Sequence, residues 1–109
     1  MKRVIYAGSE FVTGDDIAAA LMGCGQALAE AGEAAAVTVP TRELDGSRGE
    51  VTVLIGPASQ MVARDADSGG EELIDEVAVA RLNAVQRRLH PVASIDGALP
   101  SEDDWGDEI

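Results

Sequence analysis

The sequence predicts an α+β fold: two layers, with a mainly antiparallel twisted sheet packed by two helices in the order ββαβββα. Three observations predict it. Val51-Thr52-Val53-Leu54-Ile55 is the longest run of β-branched and large apolar residues, and Gly56-Pro57 stops it. Two stretches, Ile17 to Ala31 and Ala78 to Leu89, carry apolar residues at helical spacing. Gly8-Ser9 and Asp45-Gly46 are hairpin signals between short apolar runs.

Taken in order, Arg3 to Ala7 reads as a first strand, Gly8-Ser9 as a two-residue turn with Gly first, and Glu10-Phe11-Val12 as a short return strand. Thr13 stands where a side chain can accept from the first amides of a helix, and Asp15 and Asp16 suit the positive end of its dipole. The helix is expected to reach about Ala31 and end at Gly32, which tolerates the left-handed cap. Ile17, Leu21, Cys24, Leu28 and Ala31 form its apolar stripe. Gly23 and Gly25 weaken its middle by about 1 kcal/mol each relative to Ala. They serve either a close approach to the sheet or are tolerated strain.

Ala35, Val37 and Val39 alternate with Ala36 and Thr38, giving a strand before Pro40. Asp45-Gly46 then joins Thr41–Leu44 to the Val51 strand. Val51, Val53 and Ile55 share one face of that strand. Leu54 on the other face is also apolar, which predicts cover on both faces and a central place in the sheet. Gln60–Arg64 reads as another strand and 65–70 as a polar loop. The second helix is expected to start with Asp75 as cap, with Ile74 and Val79 as a hydrophobic staple. Ala78, Leu82, Val85 and Leu89 are its buried stripe, Arg87 and Arg88 favour its negative end, and Pro91 ends it. From Ala93 onward Gly, Pro, Ser and acids dominate, so 1–92 reads as a single domain and 93–109 as a disordered acidic tail.

A chain of 109 residues supports one core without a metal or disulfide staple. Although 46% of residues are hydrophobic, only Tyr6, Phe11 and Trp105 are aromatic, so the core should be thin and built from Val, Ile, Leu and Ala. Twenty acids against eight bases give a formal charge of −12. That charge repels nucleic acid and anionic membranes at long range, and favours a basic protein partner or cations. The single cysteine, Cys24, precludes an internal disulfide and suits a reducing cytoplasm. Met1–Tyr6 is too short an apolar run for a signal peptide, and no stretch reaches the ~20 apolar residues of a membrane span. A cytoplasmic location is the expectation.

Two segments invite chemistry. Counted as a twelve-residue calcium loop, 65–76 has Asp65 and Asp67 at positions one and three, Gly70 at six and Glu76 at twelve, with Glu71 between. Gly69 at position five offers no side-chain oxygen, Glu72 occupies a place usually apolar, and a strand precedes the loop. An acidic loop leading into a helix explains the same residues. The other segment is Ser101–Ile109, where an acidic run surrounds one Trp and closes on Ile. Trp105 would anchor and Asp103, Asp104, Asp107, Glu108 and Ile109 would complete a docking surface for a basic groove. A solubilising tail is the plain alternative.

Other features point to structure. Ser59 after the Gly56-Pro57 turn lacks a base, since the only histidine, His90, stands at a helix end. No Gly-x-Ser-x-Gly elbow is present, and Ser59 or Gln60 is expected to tie down loop backbone. Gly8–Gly14 joins strand to helix like a phosphate loop but has no Lys and is followed by Asp15 and Asp16. Cys24, on an apolar stripe without a basic neighbour, reads as core.

Val4-Ile5-Tyr6-Ala7-Gly8, Thr13-Gly14-Asp15-Asp16-Ile17-Ala18 and Leu54-Ile55-Gly56-Pro57-Ala58-Ser59-Gln60 resemble motifs of a family of small uncharacterised bacterial proteins from high-GC genomes. The likeness spans roughly the first 90 residues and carries no site residue with it. The expected function is a non-enzymatic interaction protein whose Trp-bearing tail docks a basic partner, without a cofactor. The alternatives are a divalent-cation binder through Asp65, Asp67, Glu71 and Glu76, and an acidic mimic of nucleic acid. Thr38, Thr52 and Leu54 lie either in a homodimer interface or under a helix.

Overall fold

The computed structural model describes residues 1–67 and 70–89. Five strands and two helices follow one another as β1 (Lys2–Tyr6), β2 (Ser9–Thr13), α1 (Asp15–Ala31), β3 (Ala35–Arg42), β4 (Arg48–Ile55), β5 (Met61–Asp65) and α2 (Glu76–Leu89). All ladders are antiparallel, and the sheet order is β4-β3-β2-β1-β5. This is the expected α+β architecture in the expected order.

The first hairpin turns one residue earlier than the sequence suggests. Ala7 and Gly8 carry φ of 52° and 81°, so both central positions are left-handed, and Tyr6 pairs with Ser9. Two positive φ angles make a primed turn that matches strand twist. Moving the turn by one position moves each cross-strand partner by two residues. Val4 therefore faces Phe11 rather than Thr13, and both stay on the same face.

α1 is capped by Gly14 without a side-chain bond, not by Thr13. The Thr13 hydroxyl, fully buried, donates instead to the Pro40 carbonyl at 2.7 Å. β3 continues through Pro40 to Arg42, beyond the predicted end. β2 and β3 form a ladder pair only at Val12 and Arg42, so no β2 ladder partner stands opposite Pro40, whose amide cannot donate. Gly32 closes α1 with φ 69°, as its sequence implies.

Ile17, Leu21, Cys24 and Leu28 of α1 are buried, whereas Ala31 is exposed and Ala18, Ala20 and Ala27 take its place in the core. A Cβ at Gly25 would stand 3.1 Å from the Met61 side chain, and one at Gly23 would meet Gln86 of α2. The two glycines thus set the helix close to the sheet on one side and to its neighbour helix on the other. In α2, Ala78 and Leu82 are buried and Val85 and Leu89 half-buried. Asp75 caps it, its Oδ1 accepting from the Ala78 amide at 3.0 Å. The exposed Arg88 guanidinium lies 3.6 Å from Glu33.

The core lies on one face of the sheet. Val4, Val37, Val39, Val53 and Ile55 meet Ile17, Leu21, Leu28 and Leu82 there. Each such aliphatic side chain contributes about 1.5–3 kcal/mol by leaving water. The Val51 strand does not lie centrally: β4 is an edge strand, and Leu54 is 66% exposed. Its unbroken apolar run resembles a doubly covered strand, yet only the Val51, Val53 and Ile55 phase meets helices. Opposite edges β4 and β5 are joined by the five-residue loop 56–60. The Tyr6 hydroxyl of β1 donates to the Leu54 carbonyl of β4, although three strand spacings of about 4.8 Å separate those strands in a flat sheet. The sheet is therefore strongly coiled around its helices.

Candidate interaction surface

The face away from the helices is set by strand phase. Residues alternating with the buried valines point outward: Arg3 and Ile5, Glu10 and Val12, Thr38 and Arg42, Arg48, Thr52 and Leu54, Val62 and Arg64. Thr38 and Thr52 are bonded across the strands at 2.8 Å on the exposed face, and Leu54 is largely exposed, so no helix among the described residues covers Thr52 or Leu54. Leu54, Val62 and, at a hairpin tip, Leu44 are exposed apolar residues.

Register brings four arginines together here. Arg48 pairs with Arg42, Arg42 with Val12, Val12 with Arg3 and Arg3 with Arg64. One line across all five strands thus reads Arg48–Arg42–Val12–Arg3–Arg64 and holds half of the eight basic residues of an acidic chain. Two are neutralised: Arg3 by Glu10 at 2.9 Å, and Arg48 by Asp75. Arg42 donates to the carbonyls of Gly46 and Glu71 at 3.2 and 3.1 Å, and its Nε is buried without a partner among the described residues. Arg64 has no ion pair among them.

The chain between β5 and α2 straps this end of the sheet. The Ala66 amide donates to the Met1 carbonyl at 3.1 Å, and the Glu72 carboxylate takes the Asp15 amide and the Met1 ammonium. Those contacts, the amide first, hold the Glu72 carboxyl below its ordinary range. Leu73 is buried, and a Cβ at Gly14 would overlap its carbonyl. The Ala78 amide and then Arg48 hold Asp75 below the usual range in the same way. Between strap and hairpin tip lies a cleft of about 320 Å³ lined by Arg3, Arg42, Glu43, Leu44, Asp67 and Glu71, three carboxylates against two guanidiniums. A hollow of about 600 Å³, reaching Phe11 and Glu10, adjoins it through the same two arginines.

Of the residues singled out from sequence as metal ligands, Asp65 is paired with Lys2, which lowers its carboxyl from the usual range. Asp67 and Glu71 border the cleft, and Glu76 opens α2. No three His, Cys, Asp or Glu side chains converge on a possible cation position among the described residues. Asp103, Asp104, Trp105, Asp107, Glu108 and Ile109 lie outside the described residues, as does His90. Ser59 has a structural role: its Oγ accepts from the Gly56 amide and lies 2.8 Å from the Tyr6 hydroxyl. Cys24 is fully buried, and burial pushes its thiol up, partly opposed by the nearby Arg88 charge that sequence spacing did not reveal.

Sequence reasoning missed the arginine line altogether. Its members stand in four strands at positions 3, 42, 48 and 64, and only strand order and register make them neighbours. The available signal was their phase, since each alternates with an inward residue of its own strand. No helix among the described residues is long and apolar enough to cross a membrane. Set against known protein families, characterised proteins and solved structures, the chain matches none.

Proposed function

We propose that this chain is a non-enzymatic interaction protein whose acidic segment 101–109 docks a basic partner, with the α+β domain as its scaffold. One observation carries the reading: Trp105, the sole tryptophan, is set among Glu102, Asp103, Asp104, Asp107 and Glu108. An aromatic anchor supplies contact area, and flanking carboxylates steer association toward a basic groove. The engaged Ser59 and the buried Cys24 agree with a scaffold role for the domain.

The other readings have less support. The Lys2 ammonium occupies Asp65, the first position of the proposed cation loop. A wholly acidic surface imitating nucleic acid conflicts with four arginines in line on the outer face.

Comparing full-length protein, a 1–92 truncation and Trp105→Ala as baits against a soluble extract tests the proposal. Basic proteins retained by full-length chain and lost from both variants are the expected result, with circular dichroism confirming that all three fold. Partners still retained by the truncation would overturn it.

A further inference from the structure

The two edges of the sheet are finished differently. β5 has five residues and closes on the charged pair Arg64-Asp65. β4 has eight residues and stays in unbroken register with β3 from Arg48 to Ile55. Short length, proline, lysine and bulges keep an edge from pairing with another chain, and β4 has none of them. Its backbone groups also point outward. The Glu43 amide donates to the Ser47 carbonyl at 2.8 Å, so by alternation Thr41–Gly49, Val39–Val51 and Val37–Val53 are the hydrogen-bonded pairs of the hairpin. Pro40 accordingly lies opposite Glu50, where no amide is needed. The amides and carbonyls of Arg48, Glu50 and Thr52 therefore face away from β3, and none has a backbone partner among the described residues. Beyond them the Leu54 carbonyl, facing the same way, takes the Tyr6 hydroxyl and ends the open stretch.

We infer that the open edge of β4 from Arg48 to Thr52 receives an extended segment of a basic protein as an added strand. The side chains set the pattern of that segment. On the inner face Val51 is half-buried, whereas Val53 and Ile55 are 8% and 1% exposed, so an apolar residue beside Val51 completes the rim of the core. On the outer face Arg48 is held by Asp75, while Glu50 is exposed and has no ion pair among the described residues. A cationic residue opposite Glu50 supplies that pair. The segment thus alternates basic and apolar residues, and the formal charge of −12 steers it toward the domain. A second copy fits less well. Pairing the stretch 48–52 with itself puts the two Glu50 carboxylates directly opposite each other, between chains of like charge.

This inference rests on reading the chain as the binder of a basic partner and adds a second contact, made by the folded domain. The probe is a short synthetic peptide alternating lysine and valine, added in excess to the full-length protein. The readout is amide hydrogen exchange, residue by residue. The amides of Arg48, Glu50 and Thr52 should exchange fast in the free protein and several-fold more slowly with the peptide. Thr52→Pro removes one of those donors and leaves the β3 ladder intact, since proline is tolerated on the open side of an edge strand. It should abolish the protection. Glu50→Lys, an exposed substitution that serves should the proline variant misfold, should lose the lysine peptide and respond instead to its glutamate–valine counterpart. Absent protection, or protection confined to other amides, overturns the inference. Protection present without peptide and rising with protein concentration also overturns it, because a second copy then fills the edge. The two proposals fail separately. Protected edge amides with partners retained by the 1–92 truncation defeat only the docking segment, and unprotected edge amides with partners lost on truncation defeat only the added strand.

Discussion

The two faces of the sheet are built from the same strands by opposite rules. Inward, Val4, Val37, Val39, Val53 and Ile55 are at most 9% exposed and interchangeable in kind, aliphatic against aliphatic. Outward, one line holds four arginines, and neighbouring positions carry Thr38, Thr52, Leu54 and Val62. The inner face needs only shape and apolarity, because burial is non-directional. The outer face lies largely in water, where its ion pairs, Arg3 with Glu10 and Arg48 with Asp75, add little to stability. Stability therefore resides on the inner side, while the outer side is shaped by water and charge.

The sharpest way to break that division is to remove mass from the inner side. Leu21 is fully buried between sheet and helices. Leu21→Ala should cost about 3 kcal/mol in transfer and cavity terms and lower the thermal midpoint by roughly 15 °C for a domain this size. A loss under about 1 kcal/mol, read from the urea midpoint at constant slope, would mean that this face is not the core.

A smaller effect comes from the strap that links the faces. Glu72 and Asp75 titrate below their ordinary values of 4.5 and 3.8. The folded state then binds fewer protons than the unfolded state in that range. Stabilisation from these carboxyls is complete above the ordinary values and disappears as pH falls through the lowered ones. Urea midpoints measured against pH should accordingly drop on the acid side below about pH 4. Glu72→Gln should be less stable at neutral pH and show a shallower acid decline, since it removes one of the two groups. An unchanged acid slope would show that the strap carries no such linkage.

The smallest effect belongs to the outer face. Leu54→Thr, at a position 66% exposed on an edge strand, should leave stability within about 0.5 kcal/mol of the parent. A larger loss in a thermal scan would reveal hidden cover on that side and erase the contrast.

Much of the fold was legible because it is local. The stripe from Ile17 to Leu28, the cap at Asp75, Gly32 at a helix end and the Asp45-Gly46 turn each depend on residues a few positions apart, and all appear as read. Thr13 shows where locality fails. Its hydroxyl suits a helix cap, yet it donates instead to the carbonyl of Pro40, 27 positions away. The candidate site was less legible still. The segment around Trp105 stands out by composition, whereas the line of arginines has no local mark.

By itself the sequence determined which stretches are strands and helices and which phase of each is apolar, since side-chain spacing and turn chemistry act within a few residues. Only the tertiary structure decided strand order and register. It put the most apolar strand at an edge, coiled the sheet until Tyr6 met Leu54, and drew Arg3, Arg42, Arg48 and Arg64 into one line. The physical reason is that ladder partners are chosen by which faces can be buried together, a property of the whole chain rather than of any segment.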